Sequence, residues 1–245
     1  MPLIIFASAT GGAGCSTAAG HCAHLMQKAG HSCLAIDASP NHGLSLSLGL
    51  AEIPMHGWAT HAMVKSHWAS AVLQAPDHLQ LLPFGTLPTL PDAHALRMLG
   101  QWLRSSTQVC VVDVGPHLMA YAPALLGQAH ALIVCTRAQA YAQQQLQQLL
   151  DDVAPLMPAQ CVQRILIGRY DVRRHSQKQV LAQMNQAWPA LFFEESIHED
   201  EQLADSMAQG IPVFLRYPQS QSAHDLQGIS HRLMQLLALP QERQR

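Results

Sequence analysis

Charged residues are scarce in this sequence. Asp, Glu, Lys and Arg together make up 12% of the 245 residues, against about 25% in an ordinary soluble domain. The formal net charge is −2, so the chain has no global basic field that would attract nucleic acid or anionic lipid. We therefore expect no nucleic-acid partner. A surface so poor in charge favours contact with another protein.

Long hydrophobic runs are also missing. No apolar stretch reaches the roughly 18 residues that a transmembrane helix needs. The apolar run from Met1 to Phe6 is short and lacks the basic flank of a signal peptide. The sequence therefore predicts neither a membrane span nor a secretory leader.

The cysteines and histidines lack the spacing of metal sites. None of the six cysteines forms a C-x-x-C pair, and Cys110, Cys135 and Cys161 lie within apolar runs. Buried, reduced thiols are the favoured interpretation, which predicts a cytoplasmic protein. The 15 histidines are scattered, so ordinary surface or helix positions are favoured over a histidine metal site.

Buried apolar runs alternate with amphipathic segments along the chain. The predicted strands are Leu3–Ser8, Ser32–Ala38, Leu79–Pro83, Gln108–Asp113, Ala131–Cys135, Val162–Ile167 and a short edge strand, Leu191–Phe193. The predicted helices are Ala18–Lys28, Ala93–Arg104, Ala120–Gly127, Gln139–Val153, Gln177–Ala187, Glu201–Ala208 and Ala223–Leu236. This alternation is typical of an α/β fold with a mostly parallel central sheet and helices on both faces. Residues 1–239 are predicted to form one domain, followed by a polar tail at residues 240–245.

A glycine-rich loop, T-G-G-A-G-C-S-T from Thr10 to Thr17, directly follows the first predicted strand. Glycines let backbone N–H groups wrap an anion without Cβ clashes, and the following helix adds its positive end. The sequence therefore predicts a phosphate-binding site, whose residues in chain order are Gly11, Gly12, Ala13, Gly14, Cys15, Ser16 and Thr17.

Three oxygen-bearing side chains are candidate Mg²⁺ ligands. A hydroxyl at the end of such a loop, here Ser16, can ligate the metal beside a β-phosphate. Asp37 and Asp113 each stand near the end of a predicted buried strand. Strand-end capping is the alternative for these two aspartates, and the family resemblance described next is what favours a metal site.

The arrangement resembles the ParA/MinD family of P-loop proteins (the SIMIBI class), whose loop reads K-G-G-x-G-K-T-T. The two lysine positions hold Thr10 and Cys15 here. Asp37 matches the first switch I aspartate, and Asp113 matches the Walker B aspartate. Two positions differ: Ser39 replaces the second switch I aspartate, and Gly168 replaces an asparagine that contacts adenine. The resemblance implies ATP and Mg²⁺ binding, with hydrolysis slowed by orders of magnitude because both lysines are absent.

One branch of that family, the BcsQ proteins of bacterial cellulose synthesis, is similar over most of the chain. Shared segments are H-G-W-A around Trp58, the pair His67–Trp68, L-Q-L-L-P-F-G around Phe84, I-H-E-D-E from Ile197, and I-P-V around Pro212. The resemblance implies a cytoplasmic homodimer with ATP between subunits and Pro212 beside the base. Implied partners are a small BcsR-like protein, cellulose synthase and its regulator BcsE at the inner membrane, which would place the chain peripherally there. As an alternative to a family signature, Trp58, Trp68 and Phe84 are core or partner-facing aromatic residues of a kind common to any large α/β domain.

Three alternatives remain from the residues alone. An active ParA-type ATPase that positions another cargo is disfavoured by the missing lysines and by Ser39. A nucleotide-free scaffold is suggested by the neutral Cys15, unless an arginine such as Arg137, Arg169 or Arg216 compensates. A NAD-dependent oxidoreductase is disfavoured because the G-x-G-x-x-G fingerprint is absent.

Overall fold

The structure is a computed structural model that describes residues 2–50, 52–63, 68–75, 78–87 and 89–239. Its strands are β1 (Leu3–Ser8), β2 (Cys33–Asp37), β3 (Leu73–Gln74), β4 (Gln80–Leu82), β5 (Val109–Gly115), β6 (Ala131–Thr136) and β7 (Val162–Ile167). They form one sheet in the order β3-β4-β2-β5-β1-β6-β7. Every neighbouring pair is parallel except β3 and β4, which are antiparallel. The predicted mostly parallel sheet is confirmed.

Helices cover both faces of this sheet. They are α1 (Cys15–Lys28), α2 (Gly43–Ser47), α3 (Trp58–Met63), α4 (Ala93–Arg104), α5 (Leu118–Leu125), α6 (Ala140–Val153), α7 (His175–Ala187), α8 (Glu201–Ala208), α9 (Val213–Arg216) and α10 (Gln221–Leu236). Side chains alternate along β1, so Ile4 and Phe6 pack in a core with α1 and α10. Ile5 and Ala7 point the other way, into a core with α4, α5 and α6. Burial on both faces explains why the strands read as continuous apolar runs.

Side-chain caps fix where several helices begin. Asp92 accepts a hydrogen bond from the backbone N–H of Ala95 at the start of α4. Asp200 caps α8 in the same way, and Ser220 caps α10. Such a cap satisfies a backbone N–H group that the first turn of a helix leaves unpaired. The capped end of α8 lies beside the glycine loop, because Asp200 lines the same cavity as Gly12 and Gly14.

One predicted strand is wrong, and the sequence does not predict some of the short elements. Leu191–Phe193 is not a strand: this segment contributes only an isolated bridge between Phe192 and Ile165. The short elements β3, α2, α3 and α9 were not predicted. The predicted polar tail at residues 240–245 and the side chain of His67 lie outside the described residues.

All six cysteines are free thiols. Cys110 and Cys135 are buried in β5 and β6 as predicted, whereas Cys161 precedes β7 and is only half-buried. Within the described ranges, no helix combines the length and apolar character that crossing a bilayer requires.

Candidate functional site

The glycine loop connects β1 to α1 and leaves open space on its outer side. Gly12 and Gly14 have φ angles of 68° and 77°, a left-handed conformation that glycine adopts without strain. A Cβ atom built on Gly11, Gly12 or Gly14 would meet no heavy atom within 4 Å. Gly14 is the N-cap of α1 and provides no side-chain cap, and the first turn carries no acidic residue. The positive end of α1 is therefore available to an anion.

The loop rests on the end of β7. A Cβ atom on Gly168 would lie 2.9 Å from the carbonyl carbon of Ala13 and closer still to its oxygen. Glycine is therefore required at this position for steric reasons. The asparagine of the ParA/MinD pattern would meet the same contact in this backbone.

Neither residue at the two lysine positions offers a cation. Cys15 is turned inward, and its thiol donates a hydrogen bond to Oδ1 of Asp113 at 3.3 Å. A hydrogen bond with Cys135, together with burial, raises the pKa of Cys15 well above its ordinary value, so the thiol is neutral. Thr10 is buried, and its hydroxyl has no hydrogen-bond partner in the described structure.

Asp113 lies beneath the loop, two residues before the end of β5. It is fully buried, and its Oδ1 also accepts from the backbone N–H of Gly115 at 3.0 Å. Burial raises the pKa of Asp113, which the neighbouring Ser16 hydroxyl and the hydrogen bond from Cys15 partly oppose. Its second oxygen, Oδ2, has no partner in the described structure. An unsatisfied buried carboxylate oxygen beside a serine hydroxyl fits a metal ion or a metal-bound water.

Asp37 is the register partner of Asp113 on the adjacent strand β2. Its Oδ2 accepts from the N–H and hydroxyl groups of Ser45, at 2.8 and 2.7 Å, and its Oδ1 accepts from the N–H of Ser39 at 3.2 Å. Burial, and then the charge of Asp113, raise the pKa of Asp37 to about 7. Asp37 thus ties the segment after β2 to α2, and both of its oxygens already have partners.

The structure brings the three candidate metal ligands close together. Ser16 lies beside Asp113, and a Cβ atom on Gly43 of α2 would be 3.0 Å from Cβ of Ser16. The described residues contain no group of three or more His, Cys, Asp and Glu side chains placed to hold a metal. A metal ion here would depend on phosphate and water for its other ligands, and its assignment to Ser16, Asp37 and Asp113 stays a prediction.

A cavity of about 330 Å³ opens beside the loop. The lining on the loop side is Gly12, Gly14 and Thr17. The opposite wall comes from the end of β7 and from the segment leading into α8; its residues are Gly168, Arg169, Ile197, His198, Glu199, Asp200, Leu203, Ala204 and Met207. Pro212 is buried and is not among these lining residues, so its predicted role beside a base stays a prediction.

The I-H-E-D-E segment builds the polar part of this wall. His198 contacts Asp225 of α10 through Nδ1 at 2.9 Å, and Asp200 accepts from the hydroxyl of Ser222 at 2.7 Å. Glu199 binds the guanidinium of Arg169 at 2.9 and 2.7 Å. The sequence does not predict this wall, because its contacts join residues 22 to 30 positions apart.

The aromatic residues of the segments shared with the BcsQ proteins lie in the core beneath Asp37. Trp58 is fully buried, and its indole N–H donates to the backbone carbonyl of Asp37 at 2.9 Å. The Trp58 ring makes edge contacts with Trp68, Phe84 and Tyr121. Trp58, Trp68 and Phe84 are therefore core residues.

A comparison with known protein families shows the family to which this chain belongs. The family model described as cellulose biosynthesis protein BcsQ matches residues 1–234. The chain belongs to the BcsQ family. BcsQ of Salmonella typhi is 35% identical over 77 residues, which is 31% of this chain and 31% of that protein. The match to this curated relative thus spans less than a third of its length.

Solved structures show the same fold as this BcsQ-family chain. The MinC:MinD cell division complex of Aquifex aeolicus has a TM-score of 0.79 at 16% identity, covering 100% of this chain and 99% of that one. MinD of Pyrococcus horikoshii complexed with Mg-ADP has a TM-score of 0.73 at 17% identity, covering 96% of each chain. Identities this low show the fold alone. The predicted ParA/MinD-like fold is confirmed.

Proposed function

We propose that this protein is a regulatory or assembly subunit of bacterial cellulose synthesis that binds ATP and Mg²⁺ with little hydrolysis. Membership of the BcsQ family supports the link to cellulose synthesis. The observation that carries nucleotide binding is the open glycine loop above Asp113, whose Oδ2 is buried without a partner in the described structure.

The chain's own residues have distinct tasks in this proposal. The loop glycines and the first turn of α1 would hold phosphate through backbone N–H groups. Ser16 and Asp113 would hold the metal, and Asp37 would fix the adjoining segment. Bound Mg²⁺ would neutralise phosphate charge, as it does in other P-loop sites. The apolar side chains of Leu203, Ala204 and Met207 would pack against the base.

Slow hydrolysis follows from the groups that are absent at key positions. Thr10 and Cys15 carry no charge that could stabilise negative charge developing on a transferred phosphoryl group. Ser39 is buried, and its hydroxyl accepts from the N–H of Asn41 at 3.3 Å, so it supplies no carboxylate for attacking water. An active ATPase that positions another cargo therefore has no support from these residues.

We also propose a cytoplasmic homodimer with nucleotide between the subunits. It would act with a small BcsR-like protein, cellulose synthase and BcsE at the inner membrane, to which it would be peripheral. Nucleotide would then stabilise the assembled form by mass action, because it would bind the dimer and not the separated chains.

Thermal unfolding with and without Mg-ATP tests nucleotide binding. At ligand concentrations about 100 times Kd, binding contributes about 2.7 kcal/mol, enough for a clear rise in Tm. Gly14→Val should abolish that rise and the nucleotide-dependent dimer in light scattering, because its side chain would fill the open side of the loop. Gly30→Val is the matched control: Gly30 also has a positive φ, 90°, but lies after α1, away from the loop.

The same experiment distinguishes the rival functions. A Tm that does not respond to Mg-ATP in the unsubstituted protein would favour a nucleotide-free scaffold. That alternative has one specific support, because the Cys15 thiol already occupies one oxygen of Asp113. Steady phosphate release at an ordinary turnover rate would instead favour the active ATPase.

A further inference from the structure

The cavity beside the glycine loop has little permanent positive charge in its lining. Of the described residues that line it, Arg169 is the single Lys or Arg, whereas Glu199 and Asp200 add negative charge. The loop itself supplies neutral Thr10 and Cys15. A polyphosphate in this cavity would therefore meet the charge of Arg169 and no other lysine or arginine of the lining.

The backbone brings Arg169 close to the loop. Gly168, which precedes it, packs against the loop, since a Cβ atom there would lie 2.9 Å from the carbonyl carbon of Ala13 and 3.7 Å from the backbone nitrogen of Gly14. Arg169 itself has a φ of 54°, an unusual conformation for a residue with a side chain and one that concentrates at functional sites. Flanking backbone hydrogen bonds, from Gly168 to Thr136 and from Tyr170 to Ile197, hold it there.

The present partner of Arg169 is replaceable. Its guanidinium binds Glu199 through two nitrogens, but the two side chains are 51% and 42% exposed. Exposed ion pairs contribute little to stability. The planar guanidinium matches phosphate oxygens as well as it matches a carboxylate.

We propose that Arg169 neutralises nucleotide phosphate in place of the two missing lysines, exchanging Glu199 for phosphate when nucleotide binds. The assignment rests on the proposed nucleotide binding. The other two candidate arginines fit less well: Arg216 binds Asp205 at 3.0 Å, and neither Arg216 nor Arg137 lines the cavity.

Calorimetric titration of ATP, ADP and AMP into the full-length protein tests this role. Arg169→Ala should lower ATP affinity about tenfold or more, the effect of losing a hydrogen bond to a charged group. The loss should shrink with fewer phosphates, and Arg169→Lys should recover part of it. Glu199→Gln should raise ATP affinity, because it removes the competing carboxylate.

Arg173→Ala is the matched control, since Arg173 is a neighbouring arginine that binds Asp171 and does not line this cavity. Equal affinities for Arg169→Ala and Arg173→Ala would overturn the assignment. A loss of ATP affinity in Glu199→Gln as large as that in Arg169→Ala would also overturn the assignment, because the ion pair would then act only by stabilising the local structure. Flat heats for the unsubstituted protein would instead overturn nucleotide binding itself, and this role with it.

Discussion

Substituting Gly168 by alanine tests whether contact with β7 positions the glycine loop. The added Cβ atom would lie 2.9 Å from the carbonyl carbon of Ala13, whereas ordinary contact begins near 3.4 Å. Ala13 is itself 2% exposed, and Cys15 is anchored to Asp113. The loop cannot yield without disturbing buried neighbours.

The expected cost of Gly168→Ala is that of overpacking a close-packed interior, about 1–3 kcal/mol. For a chain of this size each kcal/mol lowers Tm by about 2–4 °C. Circular dichroism melts measure the loss of stability. Because the displaced atoms belong to the proposed phosphate site, calorimetry should also show weaker ATP binding than in the unsubstituted protein.

Gly127→Ala is the control for this experiment. Gly127 has open space around a built Cβ atom and no positive φ, so both Tm and ATP affinity should stay unchanged. If Gly168→Ala behaves like Gly127→Ala in both assays, the loop does not depend on β7 and the steric account of Gly168 is wrong. A loss of stability with intact ATP binding would refute the part that concerns phosphate.

Two further outcomes follow from the groups around Asp37. Trp58→Phe should lower the free energy of unfolding, measured in urea, by about 2–4 kcal/mol, because the buried ring is smaller and the Asp37 carbonyl loses a hydrogen bond. Trp102→Phe is the control, since Trp102 is only half-buried. If Trp58→Phe lowers stability no more than Trp102→Phe, the hydrogen bond to Asp37 does not contribute. Because the pKa of Asp37 is raised to about 7, the folded chain retains a proton that the unfolded chain releases near pH 4. Stability without ligand should therefore fall as pH rises between these values. Asp37→Asn should flatten this slope between about pH 4 and 7, and an unchanged slope would show that Asp37 titrates normally.

The long elements could be predicted because their burial is visible in the sequence. Strands such as β5 and β6 are buried on both faces and read as continuous apolar runs. The short elements β3, α2 and α9 have two to five residues, too few for a hydrophobic period to emerge. The prediction of a strand at Leu191–Phe193 is wrong because three consecutive apolar residues also occur in a loop that packs against the core.

The candidate site was predictable where topology alone places the residues. The glycine loop, Asp37 and Asp113 follow or end parallel strands, whose carboxyl ends meet at one edge of the sheet. The inward turn of Cys15 and the pairing of Arg169 with Glu199 depend on side-chain packing between distant segments. Spacing in a sequence carries no signal for such contacts.

The signature segments of the family stiffen the part of the site that switches in other P-loop proteins. The indole of Trp58 holds the carbonyl of Asp37, and the phenol of Tyr121 donates to the next carbonyl, Ala38, at 2.6 Å. Gly57 and Gly85 allow the segments around Trp58 and Phe84 to meet backbone to backbone, since a Cβ atom on Gly85 would be 2.6 Å from the Gly57 nitrogen. Because buried hydrogen bonds fix the chain after β2, moving it requires opening the core. A nucleotide bound at a site held in this way would exchange slowly, which agrees with the slow hydrolysis proposed above.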